Sequence, residues 1–328
     1  MFTLRTWTAL ALSAVLALPV GEARAQGGAW PSRPIRFVVP LPPGGSPDYL
    51  ARLLSERLQP VLGQPLIVEN KPGGGGTIAR EYVARQTADG YTLLMTESSH
   101  VLSAAIGSKL PYEPIRDFEP IVLAATIPFV LAVNSSTPVR TLNEFIAYAK
   151  AAPKPLTYGT AGVGAPHHIA AELLRSMTGI NIVHVPYKGS AGIVPALLSG
   201  EIDFTIGAVN SLLPHFRSGK LRAIAVSGSA RTAILPDAPT MAEAGPLPGY
   251  AVDIWLGVTA PAGTPRPIVE RLNAEINRIV RDPRIVKERF APVGLEPLGS
   301  TPEQFLEVMK SDLAKYAKVA KDANIKPE

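Results

Sequence analysis

The sequence predicts an α/β protein with two lobes joined by two crossover strands. Strand-like runs alternate with glycine-rich loops and amphipathic helices, which favours mostly parallel sheets with helices on both faces. Two long β-rich segments, residues 121–133 and 252–259, separate one such series from another. Roughly 300 residues follow a leader-like segment, more than one hydrophobic core usually organises.

The leader-like segment has the pattern of a signal peptide. Arg5 precedes an apolar stretch, residues 9–20, and Ala23-Arg24-Ala25 follows as a small-x-small cleavage motif. The apolar stretch is about a dozen residues long, whereas a membrane-spanning helix needs about 20. We therefore expect residues 1–25 to be removed on export to the periplasm. The chain has no cysteine, so neither a lipid anchor on cysteine nor a disulfide is expected.

The charge pattern argues against nucleic acid as a partner. The chain has 32 Lys and Arg against 27 Asp and Glu, a formal net charge of +5. These charges are dispersed, and aromatic residues do not alternate with basic ones. We expect a small-molecule ligand instead.

The first series of elements starts with a strand, a Pro/Gly loop and a helix whose leucines recur at helical spacing. The same unit then repeats, and a third strand follows. In order, the predicted elements are a strand at 35–39, a helix at 50–62, a strand at 66–69, a helix at 77–88 and a strand at 92–96.

The second series lies between the two β-rich crossings. Its predicted strands are 156–158, 182–185, 203–206 and 222–226, and its predicted helices are 142–151, 166–178 and 193–199. Two more amphipathic helices, 268–279 and 305–320, end the chain. We expect residues 26–126 plus 251–328 to form lobe I and residues 127–250 to form lobe II.

Three glycine-rich loops lead from strands into helices, at residues 41–48, 71–77 and 160–166. A helix start offers unpaired N–H groups and the positive end of the helix dipole, and glycine lets a ligand approach the backbone. For one loop alone, a tight βα turn is the favoured interpretation. Three such loops in two lobes favour an anion site between the lobes, where the carboxyl ends of the strands lie.

Other chemistries have weaker support. Gly74 to Ala79 matches a relaxed dinucleotide pattern with Glu97 as the ribose acid, but any run of four glycines satisfies that spacing. The five histidines lack the HExxH spacing of a zinc site, and the chain has no GxSxG motif. We therefore predict no cofactor and no metal. The alternative to a binding protein is an exported, hydrolase-like enzyme that uses Asp48 with His168 across the cleft.

A series of ordered motifs resembles the Bug family, the receptors of tripartite tricarboxylate transporters. The motifs cover essentially the whole chain after the leader and lie at residues 30–36, 39–45 with Asp48, 69–73, 89–93, 183–189, 219–223, 235–240 and 260–265. The resemblance implies a periplasmic-binding-protein fold of type II, a Venus flytrap. It implies a monomer that captures a small carboxylate for a transporter permease or a sensor protein and catalyses no reaction.

The resemblance also implies that backbone amides and ordered waters hold the ligand carboxylate. The predicted ligand-binding residues are Leu41, Pro42, Gly44, Gly45, Asp48, Gly73, Gly74, Gly75, Ser98, Ser99, Thr160, Ala161, Gly162, His168, Tyr187 and Lys188. For Asp48, a role as a helix cap is the alternative. Two positions depart from the family pattern, because Leu41 stands where an aromatic residue is common and Gly207-Ala208 where an acid and an amide are common. The identity of the ligand's far end therefore stays open.

Overall fold

The structure is a computed structural model that describes residues 30–187, 190–322 and 324–325. The predicted signal peptide, residues 1–25, and Lys188 lie outside the described residues. The helices are α1 (Ser46–Leu62), α2 (Thr77–Ala84), α3 (Ser99–Ala105), α4 (Leu142–Ala151), α5 (Pro166–Thr178), α6 (Ser190–Ser199), α7 (Val209–Arg217), α8 (Met241–Ala244), α9 (Arg266–Val280), α10 (Pro283–Ile285) and α11 (Pro302–Asp322).

The strands form two separate β-sheets. The strands are β1 (Ile35–Val39), β2 (Leu66–Asn70), β3 (Thr92–Glu97), β4 (Phe118–Ile127), β5 (Phe129–Asn134), β6 (Leu156–Thr160), β7 (Ile182–Pro186), β8 (Phe204–Ala208), β9 (Leu221–Val226), β10 (Ile254–Pro261) and β11 (Glu296–Pro297). The first sheet has the order β11-β4-β10-β3-β1-β2, and the second has the order β7-β6-β8-β5-β9. Two sheets with intervening helices confirm the predicted α/β class.

The sheets are mixed, so the prediction of mostly parallel sheets is wrong. Strands β1, β2 and β3 pair in parallel, as do β6, β7 and β8. The crossover strands reverse the direction. Strand β10 is antiparallel to β3 and β4, and β5 is antiparallel to β8 and β9. Strands that enter a sheet from the other lobe therefore run against the βα units already there.

The first crossing is two strands rather than the single strand predicted at 121–133. Strand β4 ends at Ile127 and β5 begins at Phe129, in different sheets. Pro128 lies between them, and proline has no N–H for a sheet hydrogen bond. The proline therefore marks the point where the chain leaves one sheet for the other.

Helix α2 is shorter than the predicted helix 77–88, which is a second correction. It ends at Ala84, where the Arg85 N–H donates to Glu81 O at 3.3 Å. The chain then turns through Gly90, whose φ is 78°, to start β3 at Thr92. Sheet pairing of Thr92 with Arg36 fixes where that strand begins.

The C-terminal helix α11 packs where the two sheets' helices meet. Tyr316, Val319 and Ala320 of α11 share one hydrophobic core with Ile169 of α5 and with strands of the second sheet. The described residues from Pro31 onward form one compact unit. None of the helices in the described part of the chain is long and apolar enough to span a membrane.

Candidate ligand-binding site

A cavity of about 610 Å³ lies where loops of the two sheets face each other. This volume is in the range of pockets that enclose small ligands. The lining residues of the first sheet and its loops are Leu41, Gly44, Gly45, Ser46, Pro47, Gly75, Glu97, Ser99, Ser103, Ile127, Ile254 and Leu256. Those of the second are Phe129, Ala161, Val163, Gly164, Ala165, Pro166, His167, Ala208, Asn210 and Ser211.

Three helices begin at this cavity. Gly45, Ala165 and Ala208 are the N-cap residues of α1, α5 and α7, and all three line the cavity. Within the described chain no side chain caps these three helix starts. The first N–H groups of a helix and its dipole favour an anion. Two sheets thus direct positive helix ends into one space, which suits a carboxylate.

Asp48 shapes the first loop from behind the cavity. Its carboxylate accepts hydrogen bonds from Gly44 N, Arg52 Nε and Asn70 Nδ2, each at 3.0 Å. Burial raises the pKa of Asp48, but these hydrogen bonds and the charge of Arg52 outweigh it, so the pKa lies below its usual value. The amide of Asn70 also donates to Leu41 O at 3.0 Å. Together these contacts fix the loop that presents Leu41 and Gly44 to the cavity.

A buried ion pair supports the second loop. The Arg80 side chain is fully buried, pairs with Glu97, and donates to Ser99 Oγ at 2.5 Å and to Gly75 O at 3.1 Å. A Cβ at Gly76 would lie 3.0 Å from the Arg80 guanidinium, so glycine at this position makes room for the arginine. Glu97 and Ser99 line the cavity, whereas Arg80 lies behind them.

The third glycine-rich loop, residues 160–166, is held by Thr160 and His168. Thr160 Oγ1 accepts from Gly162 N at 3.1 Å and contacts the His184 ring nitrogen. His168 Nδ1 accepts from Gly164 N at 3.1 Å, and its ring stacks on His184 with centroids 4.3 Å apart. Burial lowers the pKa of His168 to about 4. A neutral His168 therefore keeps the acceptor that positions Gly164.

His167, next to it, is the histidine that lines the cavity. Its ring packs on Phe129 with centroids 4.7 Å apart, and the residue is 9% exposed. Neither ring nitrogen has a hydrogen-bond partner within the described residues. Burial lowers the pKa of His167 to about 4, so the ring is neutral. Within the described residues, the neutral His167 ring thus has one donor and one acceptor without partners beside the start of α5.

The sequence-predicted residues divide into those that line the cavity and those that lie behind it. Leu41, Gly44, Gly45, Gly75, Ser99 and Ala161 line it. The cavity lining does not include Pro42, Asp48, Gly73, Gly74, Ser98, Thr160, Gly162, His168 or Tyr187. Tyr187 donates to Glu201 Oε1 at 2.7 Å instead. Whether any of these residues touches a ligand stays a prediction.

Sequence reasoning missed Arg80, His167 and the start of α7 at Asn210 and Ser211. The pair Arg80 and Glu97 is 17 residues apart, and the sequence indicates Glu97 only as the ribose acid of the weak dinucleotide pattern at Gly74. Similarly, Gly207-Ala208 was noted as a departure from the family pattern, yet the helix that follows was not predicted.

Asp48 and His168 do not face each other across the cavity as the predicted catalytic pair would. Asp48 and His168 are each held by partners in their own lobe, and neither lines the cavity. Across the described residues, no group of three or more His, Asp or Glu side chains could hold a metal ion.

The family model of the tripartite tricarboxylate transporter family receptor matches residues 50–325. The chain belongs to this receptor family. BugT of Bordetella pertussis is 37% identical over 90% of this chain and 91% of its own length. The family and its solved members are solute-binding receptors, which confirms the prediction of a receptor rather than an enzyme.

Two solved structures of Rhodopseudomonas palustris proteins resemble this family member in fold. Rpa4515 with adipate is 37% identical, with a TM-score of 0.79 over 91% of this chain and 100% of that one. MatC with bound malate is 32% identical, with a TM-score of 0.75 over 88% and 99% of the two chains. These matches confirm the predicted two-lobed binding-protein fold.

Proposed function

We propose that this receptor captures a small carboxylate in the cavity between its lobes and delivers it to the permease of a tripartite tricarboxylate transporter. The three helix starts that converge on one cavity support the carboxylate, because their amides favour an anion. The adipate and malate of its relatives are ligands of the same class. A sensor protein is the alternative partner.

The remaining parts of the proposal concern location and domain boundaries. Residues 1–25 act as the signal peptide for export to the periplasm, where the protein acts as a monomer. Lobe I consists of residues 26–126 plus 251–328, and lobe II consists of residues 127–250. Sheet membership supports this division, because β1 to β4, β10 and β11 form one sheet and β5 to β9 form the other.

A panel of acids tests the proposal by thermal unfolding. At a hundredfold excess over its dissociation constant, a true ligand should stabilise the folded protein by about 2.7 kcal/mol, because it binds only the folded state. The panel holds mono-, di- and tricarboxylates, aromatic acids and amino acids, each with a chloride-matched blank. An unchanged melting temperature with every acid would rule out carboxylate capture.

A further inference from the structure

Glu97 is an acid within a cavity that otherwise suits an anion. Among the described residues that line the cavity, Glu97 is the only carboxylate. It ends β3 and pairs in register with Leu256 of β10, another lining residue. Its side chain is 9% exposed. A carboxylate buried to this degree needs compensating partners.

Arg80 supplies that compensation from the buried side. Its side chain has no exposed surface, and it contacts Glu97 Oε1 without lining the cavity. The charge of Arg80 is therefore already neutralised by Glu97. Glu97 is thus the member of the pair that lines the cavity, and the Arg80 guanidinium lies behind it.

The hydrogen-bond count leaves Glu97 with an open acceptor position. Oε1 accepts from Arg80 and from Ser99 Oγ, and Oε2 accepts from Ser99 N at 2.7 Å. A carboxylate oxygen has two lone pairs. Among the described residues, Oε2 thus has one lone pair left for a donor.

We propose that Glu97 selects a monocarboxylate whose other end carries a neutral hydrogen-bond donor, such as an amide N–H or a hydroxyl. This inference rests on the proposed function and names the ligand class for the same cavity. A second carboxylate at this end would meet the like charge of Glu97. An ammonium group would gain no net opposite charge, because Arg80 already neutralises Glu97, and its burial would cost desolvation. A neutral donor avoids both costs and completes the bonding of Oε2.

Titration calorimetry with length-matched acids tests the ligand class. The probes are adipate, its monoamide adipamate, and 6-aminohexanoate. We expect adipamate to bind at least about tenfold more tightly than adipate, which has no donor for Glu97, because a hydrogen bond to a charged group contributes about that factor. Adipamate should also bind more tightly than 6-aminohexanoate, whose ammonium group would be desolvated without a net opposite charge. Equal or tighter binding of adipate would overturn the inference and leave the proposed function intact. If none of these acids and no acid of the thermal panel binds, both fail.

Two variants show whether Glu97 and Arg80 cause the discrimination. Glu97→Gln leaves the Arg80 charge unpaired, so the preference should reverse and favour adipate. Replacing both residues, Arg80→Leu with Glu97→Leu, removes acceptor and cation together and avoids an unpaired buried charge. In this double variant adipate and adipamate should bind alike, with circular dichroism confirming the fold. A preference for adipamate that survives in the double variant would also overturn the inference.

Discussion

Replacing Gly164 with valine should weaken ligand binding about a hundredfold, because a β-branched residue in a left-handed conformation costs of order 1–3 kcal/mol and shifts the loop. Gly164 has a φ of 72° and lines the cavity. A Cβ there would lie 2.4 Å from Cδ1 of Ile106. Its N–H also donates to His168, so movement of the loop would break that contact. Titration calorimetry with a ligand identified by the thermal panel measures the loss.

Two control variants separate loop geometry from general destabilisation and from charge. Gly179 is the C-cap of α5, the helix that follows Gly164, and it has a φ of 70° with open space at the Cβ position. Gly179→Val should therefore lower stability without lowering affinity. Lys71 lies 3.7 Å from Glu69 and over the Tyr82 ring, away from the cavity lining, so Lys71→Ala should change affinity little. Normal binding by Gly164→Val, together with a large loss in Lys71→Ala, would show that a salt bridge holds the ligand.

Acid should destabilise this protein well above the pH at which its carboxyl groups titrate. Burial lowers the pKa of His100 to about 3 and those of His167 and His168 to about 4, from an ordinary value of 6.5. The unfolded chain therefore binds protons that the folded chain does not. The stability contributed by these neutral histidines is fully present above about pH 6.5. As the pH falls from there toward 4, each histidine lowers the free energy of unfolding by about 1.4 kcal/mol per pH unit.

Urea unfolding at about pH 7.5 and about pH 5 measures this slope. His167→Leu is the informative variant, because its ring nitrogens have no hydrogen bonds to lose among the described residues. That variant should reduce the pH dependence of the free energy of unfolding by the contribution of one proton, about 1.4 kcal/mol per pH unit. A free energy of unfolding that is the same at both pH values would contradict neutral, buried histidines.

Local patterns predicted most elements correctly. The strand Ile35–Val39 and the helices Leu142–Ala151 and Pro166–Thr178 have the predicted bounds, because each combines one clear periodicity with a proline, glycine or cap at its end. Helix α7 was missed because it is only 9 residues long and contains Pro214. Its start depends on the Val209 N–H, which donates to Pro128 O in the crossover at 2.8 Å.

The sequence predicted where the cavity lies but not which polar side chains line or support it. The glycine loops at Gly44, Gly75 and Ala161 indicated where a ligand could approach the backbone, and they do line the cavity. The sequence analysis predicted His168 as a ligand-binding residue, whereas His167 lines the cavity, since one residue of helical rotation separates the cavity from the space behind the loop. The Arg80 and Glu97 pair depends on contact between α2 and the end of β3, which no local pattern encodes.

The packing of α11 limits how the two lobes can move. This helix follows β11 of the first sheet, yet Tyr316 and Val319 lie in the core that includes α5. Any bending near Pro128 that moves one sheet relative to the other would therefore also change the packing of α11 against α5. Densely packed side chains slip between discrete arrangements and do not deform continuously. If ligand uptake moves one sheet relative to the other, the side chains between α11 and α5 should therefore repack in a discrete step.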